Sequence, residues 1–113
     1  EDMFVAFYTG HIRQNAYGTP EYFRQHPQLS PSLIEELVFK NISMIGIDAP
    51  GIRRGKEHTP ADQFCADHGV FVIENLYNLQ SVLSLSETFT AYTFPMNFLN
   101  QSGLPCRILA EVL

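Results

Sequence analysis

The sequence predicts an α/β fold with a mixed sheet and flanking helices, and three observations carry that expectation. Short apolar runs of strand length alternate with helix-like stretches in the order strand, helix, strand, helix, strand. Turn and cap residues stand between those runs where each element has to stop. Two further strand-like segments follow near the end, on either side of a turn.

The first strand is Met3 to Tyr8, a continuous apolar run closed by Thr9-Gly10. Residues 11 to 29 then form a long connection carrying Gly18, Pro20 and Pro27, with one helical turn expected around Glu21 to Gln25. Ser30-Pro31 is a sharp helix start, because Ser accepts from orphan amides and Pro suits the first helical position. Leu33, Ile34, Leu37 and Val38 form the apolar face of that helix, with Asn41 as its stop. Ser43 to Ile47 is a buried strand ending at Asp48, after which Pro50-Gly51 breaks the chain. A second helix is expected to start at Thr59-Pro60-Ala61-Asp62 and to end at Gly69. Val70 to Ile73 is a third buried strand, ending at Glu74. Phe89 to Phe98 alternates with period two, setting Tyr92, Phe94, Met96 and Phe98 on one side. Asn100 to Pro105 is a turn and Arg107 to Leu113 the last strand. The βα order makes the first three strands parallel.

The chain has 113 residues, an apolar fraction of 45%, a charged fraction of 17% and a net charge of −5. Such a length allows one modest core. The acidic balance argues against a nucleic-acid or anionic-membrane partner, and Arg53, Arg54 and Lys56 are too few to reverse it. No apolar run approaches the roughly 20 residues that span a bilayer. With two cysteines, Cys65 and Cys106, the chain reads as a reduced, cytoplasmic protein. Both ends read as strand, so we take the chain as part of something longer.

The chemistry-bearing residues are few. Asp48 and Glu74 close two buried strands, and in open α/β sheets ligands bind beyond the carboxyl ends of the strands. Two acids there could share one crevice and offer oxygen ligands to zinc or manganese; either could equally cap a turn. Asp62 has two readings. With Thr59 it spells a capping box, or it is a metal ligand upstream of Glu74. His58 stands just before that cap, which would leave it outside the helix. His11, His26 and His68 show no ligand spacing, no serine lies in a nucleophile elbow, and neither cysteine has an activating setting.

Three segments in order, FYTGHIRQNAYGTPEYFRQHPQLSPSLIEEL, ISMIGIDAPGI and ADQFCADHGVFVIENLYNL, resemble the C-terminal half of the putative cyclase family, which includes bacterial kynurenine formamidase and isatin hydrolase. FTAYTFPMNFLNQSGLPCRILAEV is similar to that family's two closing strands with a Gly-x-Pro-x-Arg turn. The resemblance covers nearly the whole chain. It implies a swivelling β/β/α fold, here as a partial domain over residues 1–113. It also implies hydrolysis of an amide or related C–N or C–O bond with one or two divalent metals, zinc or manganese. The family's His-x-Gly-Thr-His-x-Asp-x-Pro ligand motif belongs to the N-terminal half and is absent from this sequence. Of the His and Glu that two-metal relatives add, the Glu matches Glu74, while the His falls on Asp62. A carboxylate therefore replaces the imidazole, or the second metal is lost. Some relatives carry Ser where this chain has Gly51.

On these grounds we expect Glu74 as catalytic residue and metal ligand, Asp62 as the second ligand, and Asp48, His58 and Gly10 orienting ligands or touching substrate. The expected partners are a small-molecule substrate and a second copy of the chain in a dimer. The isolated chain is expected to be inactive. The competing reading is a non-catalytic oligomeric binding domain or relic of the family.

Overall fold

A computed structural model describes residues 2–113. The chain divides into two compact units, the first reaching Leu79 and the second running from Gln80 to Leu113.

The first unit is built on a parallel sheet of β1 (Phe4–Phe7), β2 (Met44–Ile47) and β3 (Phe71–Ile73), in that spatial order. The register pairs Val5 with Ile45 and Ile45 with Val72, so the central strand is flanked on both sides. Ile45 and Ile47 are fully buried, as a strand covered on both faces requires. Each contributes about 1.5–3 kcal/mol by the usual side-chain transfer scale.

The connection after β1 is more helical than its glycines and prolines promise. It holds α1 (His11–Gln14) and α2 (Pro20–Arg24), and α1 was not expected. α3 (Pro31–Val38) starts as read: the Ser30 hydroxyl accepts from the Leu33 amide at 3.2 Å. Ile34 and Val38 point into the core with Leu29, Ile42 and Val70. Asn41 follows the helix with φ 58°, the left-handed geometry that Asn tolerates.

α4 (His58–Asp67) departs from expectation at its start. A 3-10 turn over Gly55–Glu57 runs straight into the helix, so the first helical residue is His58 and Thr59 already lies inside. Neither Thr59 nor Asp62 makes a capping hydrogen bond, and the capping-box reading falls. The far end behaves as read. Gly69 takes φ 75°, its amide bonds the Ala66 carbonyl at 3.0 Å, and the Val70 amide bonds the Cys65 carbonyl at 2.9 Å. That is a Schellman closure, and it sends the chain directly into β3.

The second unit is an antiparallel hairpin of β4 (Thr90–Pro95) and β5 (Cys106–Glu111), pairing Tyr92 with Leu109 and Phe94 with Arg107. Parallel and antiparallel pairings therefore sit in separate sheets of one α/β chain. A short α5 (Leu79–Leu83) spans the boundary between the units and had no sequence signal beyond three apolar residues. Among the described residues, no helix is long and apolar enough to cross a membrane.

Candidate metal centre

β2 and β3 end side by side, and the chain after them is stitched together. The Asn75 amide donates to the Ala49 carbonyl and the Leu76 amide to the Ile47 carbonyl, each at 3.0 Å. Asn75 itself sits at φ 62°, and its Oδ1 accepts from the Tyr22 hydroxyl at 2.7 Å. Glu74, immediately before it, is thereby held at the end of the sheet. Tyr22 is wholly buried and stacks on His11 at 5.1 Å. Sequence reasoning gave this tyrosine no role, since nothing local marks a partner so distant in the chain.

Because α4 begins at His58, His58 and Asp62 are four apart on one helix and share a face. The His58 Nε2 lies 3.2 Å from the Asp62 Oδ2 and 3.4 Å from the Glu74 Oε1. One donor atom from each of the three residues lies within 4.8 Å of the others. The structure thus brings Asp62 and Glu74 together and sets His58 beside both. The early start of α4 is what sequence reading missed; the i, i+4 spacing alone carried the signal.

The chemistry of the three groups is cation-seeking. The His58 Nδ1 faces the Arg53 carbonyl at 3.3 Å, and a carbonyl can only accept, so the tautomer that uses this contact carries its proton on Nδ1. In that neutral tautomer the Nε2 lone pair faces two carboxylates. The side chains are only 34%, 33% and 29% exposed for His58, Asp62 and Glu74. Burial pushes the Glu74 carboxyl up to about 6, the Asp62 charge adds to that, and His58 opposes it. Burial likewise raises the Asp62 carboxyl, against a lowering by His58. The Asp62 Oδ1 is buried without a hydrogen-bond partner. One imidazole nitrogen and two carboxylates, one of them with an orphaned oxygen, fit a divalent ion of borderline or hard character.

The other candidates lie elsewhere. Asp48 is 1% exposed and spends its carboxylate on the end of β1. It accepts from the Thr9 amide at 2.9 and 3.1 Å, the Thr9 hydroxyl at 2.6 Å and the Gly10 amide at 2.7 Å. Asp48 and Glu74 do not converge in one crevice: the first turns to β1, the second to α4. Gly10 takes φ 83°, a conformation that suits glycine, and so offers its amide to Asp48. A polar recess of about 540 Å³ opens beside this turn, lined by Thr9, His11, Glu21 and Arg24 among others, and by none of the three clustered residues. Cys65 is fully buried, and burial, then the Asp62 charge, pushes its thiol up to about 11. It is not a thiolate at neutral pH, and Cys65 and Cys106 are both free.

No protein-family model matches this chain and no curated protein does. The chain is similar to a solved protein described as a potential metal-dependent hydrolase with cyclase activity, with a TM-score of 0.76 and 27% identity. The match covers 97% of this chain and 51% of that protein, so the chain spans about half its length. That likeness supports the general family of metal-dependent hydrolases and, with the clustered donors, a divalent-metal role.

Proposed function

We propose that this chain supplies His58, Asp62 and Glu74 to the divalent-metal site of a hydrolase that cleaves an amide or related C–N or C–O bond of a small molecule, in the manner of kynurenine formamidase and isatin hydrolase. The single observation that carries the reading is the convergence of one donor atom each from His58, Asp62 and Glu74 within 4.8 Å of one another. One nitrogen and two carboxylates suit zinc or manganese. Such an ion, when bound, lowers the pKa of a coordinated water and polarises a carbonyl.

The chain's own residues set up that chemistry. The Arg53 carbonyl fixes the His58 ring through Nδ1 and leaves Nε2 free to bind. Glu74, with its carboxyl near pH 6, takes or gives a proton in the neutral range when it is not ligated. Asp48 fixes the Thr9-Gly10 turn at the end of β1, away from the three donors.

A second reading, a non-catalytic oligomeric binding domain, is favoured by one feature of the hairpin. Tyr92 and Phe94 on β4, with Met96 and Phe98 just beyond its end, are 43–54% exposed, apolar surface of the kind that mediates association. Under either reading we assign that face to a second copy of the chain and place the protein in the cytoplasm. An assay of N-formyl aromatic amine hydrolysis, at stoichiometric Zn²⁺ or Mn²⁺, tests the enzyme reading. We expect metal binding without turnover from this chain alone, because Glu74 is taken up as a ligand and the three clustered donors leave no base beside the ion. Turnover would contradict that division of labour, and absence of metal binding would leave only the binding-domain reading.

A further inference from the structure

Gly51 lies buried in the loop after β2, outside the ligand set, and no positive φ explains why glycine stands there. Its backbone is one that any residue adopts. Space is the constraint: a Cβ at this position would come within 2.5 Å of both Cε1 and Nδ1 of His58. Carbon atoms do not approach so closely, so a side chain at residue 51 and the His58 ring in its present place exclude one another.

The loop has little freedom to yield instead. The Leu29 amide bonds the Ile52 carbonyl at 3.0 Å, and the Arg53 guanidinium bonds the Leu29 carbonyl at 3.0 Å. Its other nitrogen pairs with Glu57 at 2.9 Å, one residue before α4. Ile52 is fully buried. The Arg53 carbonyl that receives His58 Nδ1 is therefore held from two directions. The His58 side chain, one-third exposed, has solvent to swing into.

We infer that Gly51 is a positioning residue for the metal centre: by lacking a side chain it seats the His58 imidazole against the Arg53 carbonyl, which aims Nε2 at Asp62 and Glu74. Any side chain at residue 51 turns the ring out and reduces the centre to two carboxylates. The consequence for metal rests on the proposed function; the seating of the ring does not.

The test is a cycle of Gly51→Ala, His58→Ala and the double variant in the full chain. Mn²⁺ affinity is read by calorimetry, and the metal-free His58 ring by its nitrogen-15 resonances. Gly51→Ala is expected to weaken Mn²⁺ binding about tenfold or more, as loss of a ligand-orienting contact does. In the His58→Ala background the same change should alter affinity less than twofold. The metal-free Gly51→Ala protein should lose the Nδ1–H signature of a ring bonded to a carbonyl. Unchanged affinity, or an equal loss in both backgrounds, overturns the inference. If the parent protein binds no Mn²⁺, the metal reading fails, and the ring resonances still decide the seating: identical signatures in parent and variant overturn it. Should Gly51→Ala fail to fold, a folded double variant supports the inference and an unfolded one assigns the glycine to the backbone and overturns it.

Discussion

Replacing Glu74 by Gln should make the metal-free protein more stable at neutral pH, the opposite of what loss of a structural residue does. The Glu74 carboxyl is raised from 4.5 to about 6, first by burial and then by the Asp62 charge, with His58 opposing. The folded state therefore holds this proton more tightly than the unfolded chain. Between pH 4.5 and about 6 the folded protein binds more protons, so stability falls as pH rises through that window. Full stability from this group is present below pH 4.5 and is lost above about 6. A shift of this size corresponds to roughly 2 kcal/mol. With the side chain 29% exposed, solvent screening reduces this to about 1–2 kcal/mol. Glutamine keeps the shape and cannot ionise. Denaturant unfolding with a chelator, from pH 4 to 8, should show equal stabilities at the acid end and a variant about 1–2 kcal/mol more stable at pH 7. Added Mn²⁺ should then stabilise the parent and not the variant. A variant less stable than the parent at pH 7, or a difference that ignores pH, would refute the reasoning.

Three other outcomes follow from the same geometry. Asp62→Asn and Asp62→Ala should cost metal affinity more than tenfold while leaving apo helix stability intact, because Asp62 caps nothing; calorimetry and far-UV melting separate the two effects. Tyr22→Phe removes the hydroxyl that bonds the Asn75 Oδ1 and should cost about 1 kcal/mol in denaturant unfolding, with a several-fold loss of Mn²⁺ affinity through Glu74. For the hairpin, light scattering over a dilution series should find a dimer that Tyr92→Lys with Phe94→Lys converts to monomer; a monomeric parent at micromolar concentration would remove the face from consideration.

Most of the fold was legible because its signals are local. Ser30-Pro31 starts α3 and Gly69 ends α4 by backbone chemistry that needs no tertiary partner. The three apolar runs became parallel strands because helices separate them. α1 and α5 were not legible, since elements of four and five residues show no period. The candidate site was half legible. Asp62 and Glu74 stood out by type and place, but Thr59-x-x-Asp62 imitated a capping box, and only the 3-10 turn before His58 shows that the helix starts earlier. Asp48 looked equivalent to Glu74 in sequence. What separates them is the Thr9-Gly10 turn of β1, whose amides claim Asp48 from a distant part of the chain.

The most direct test of the metal centre is a calorimetric Mn²⁺ titration of the full chain beside the triple variant His58→Ala, Asp62→Asn, Glu74→Gln. The account predicts one ion per chain for the parent, with protons released on binding as the raised carboxyls ionise, and no binding for the triple variant. Equal binding by both proteins, or no binding by the parent, would contradict it.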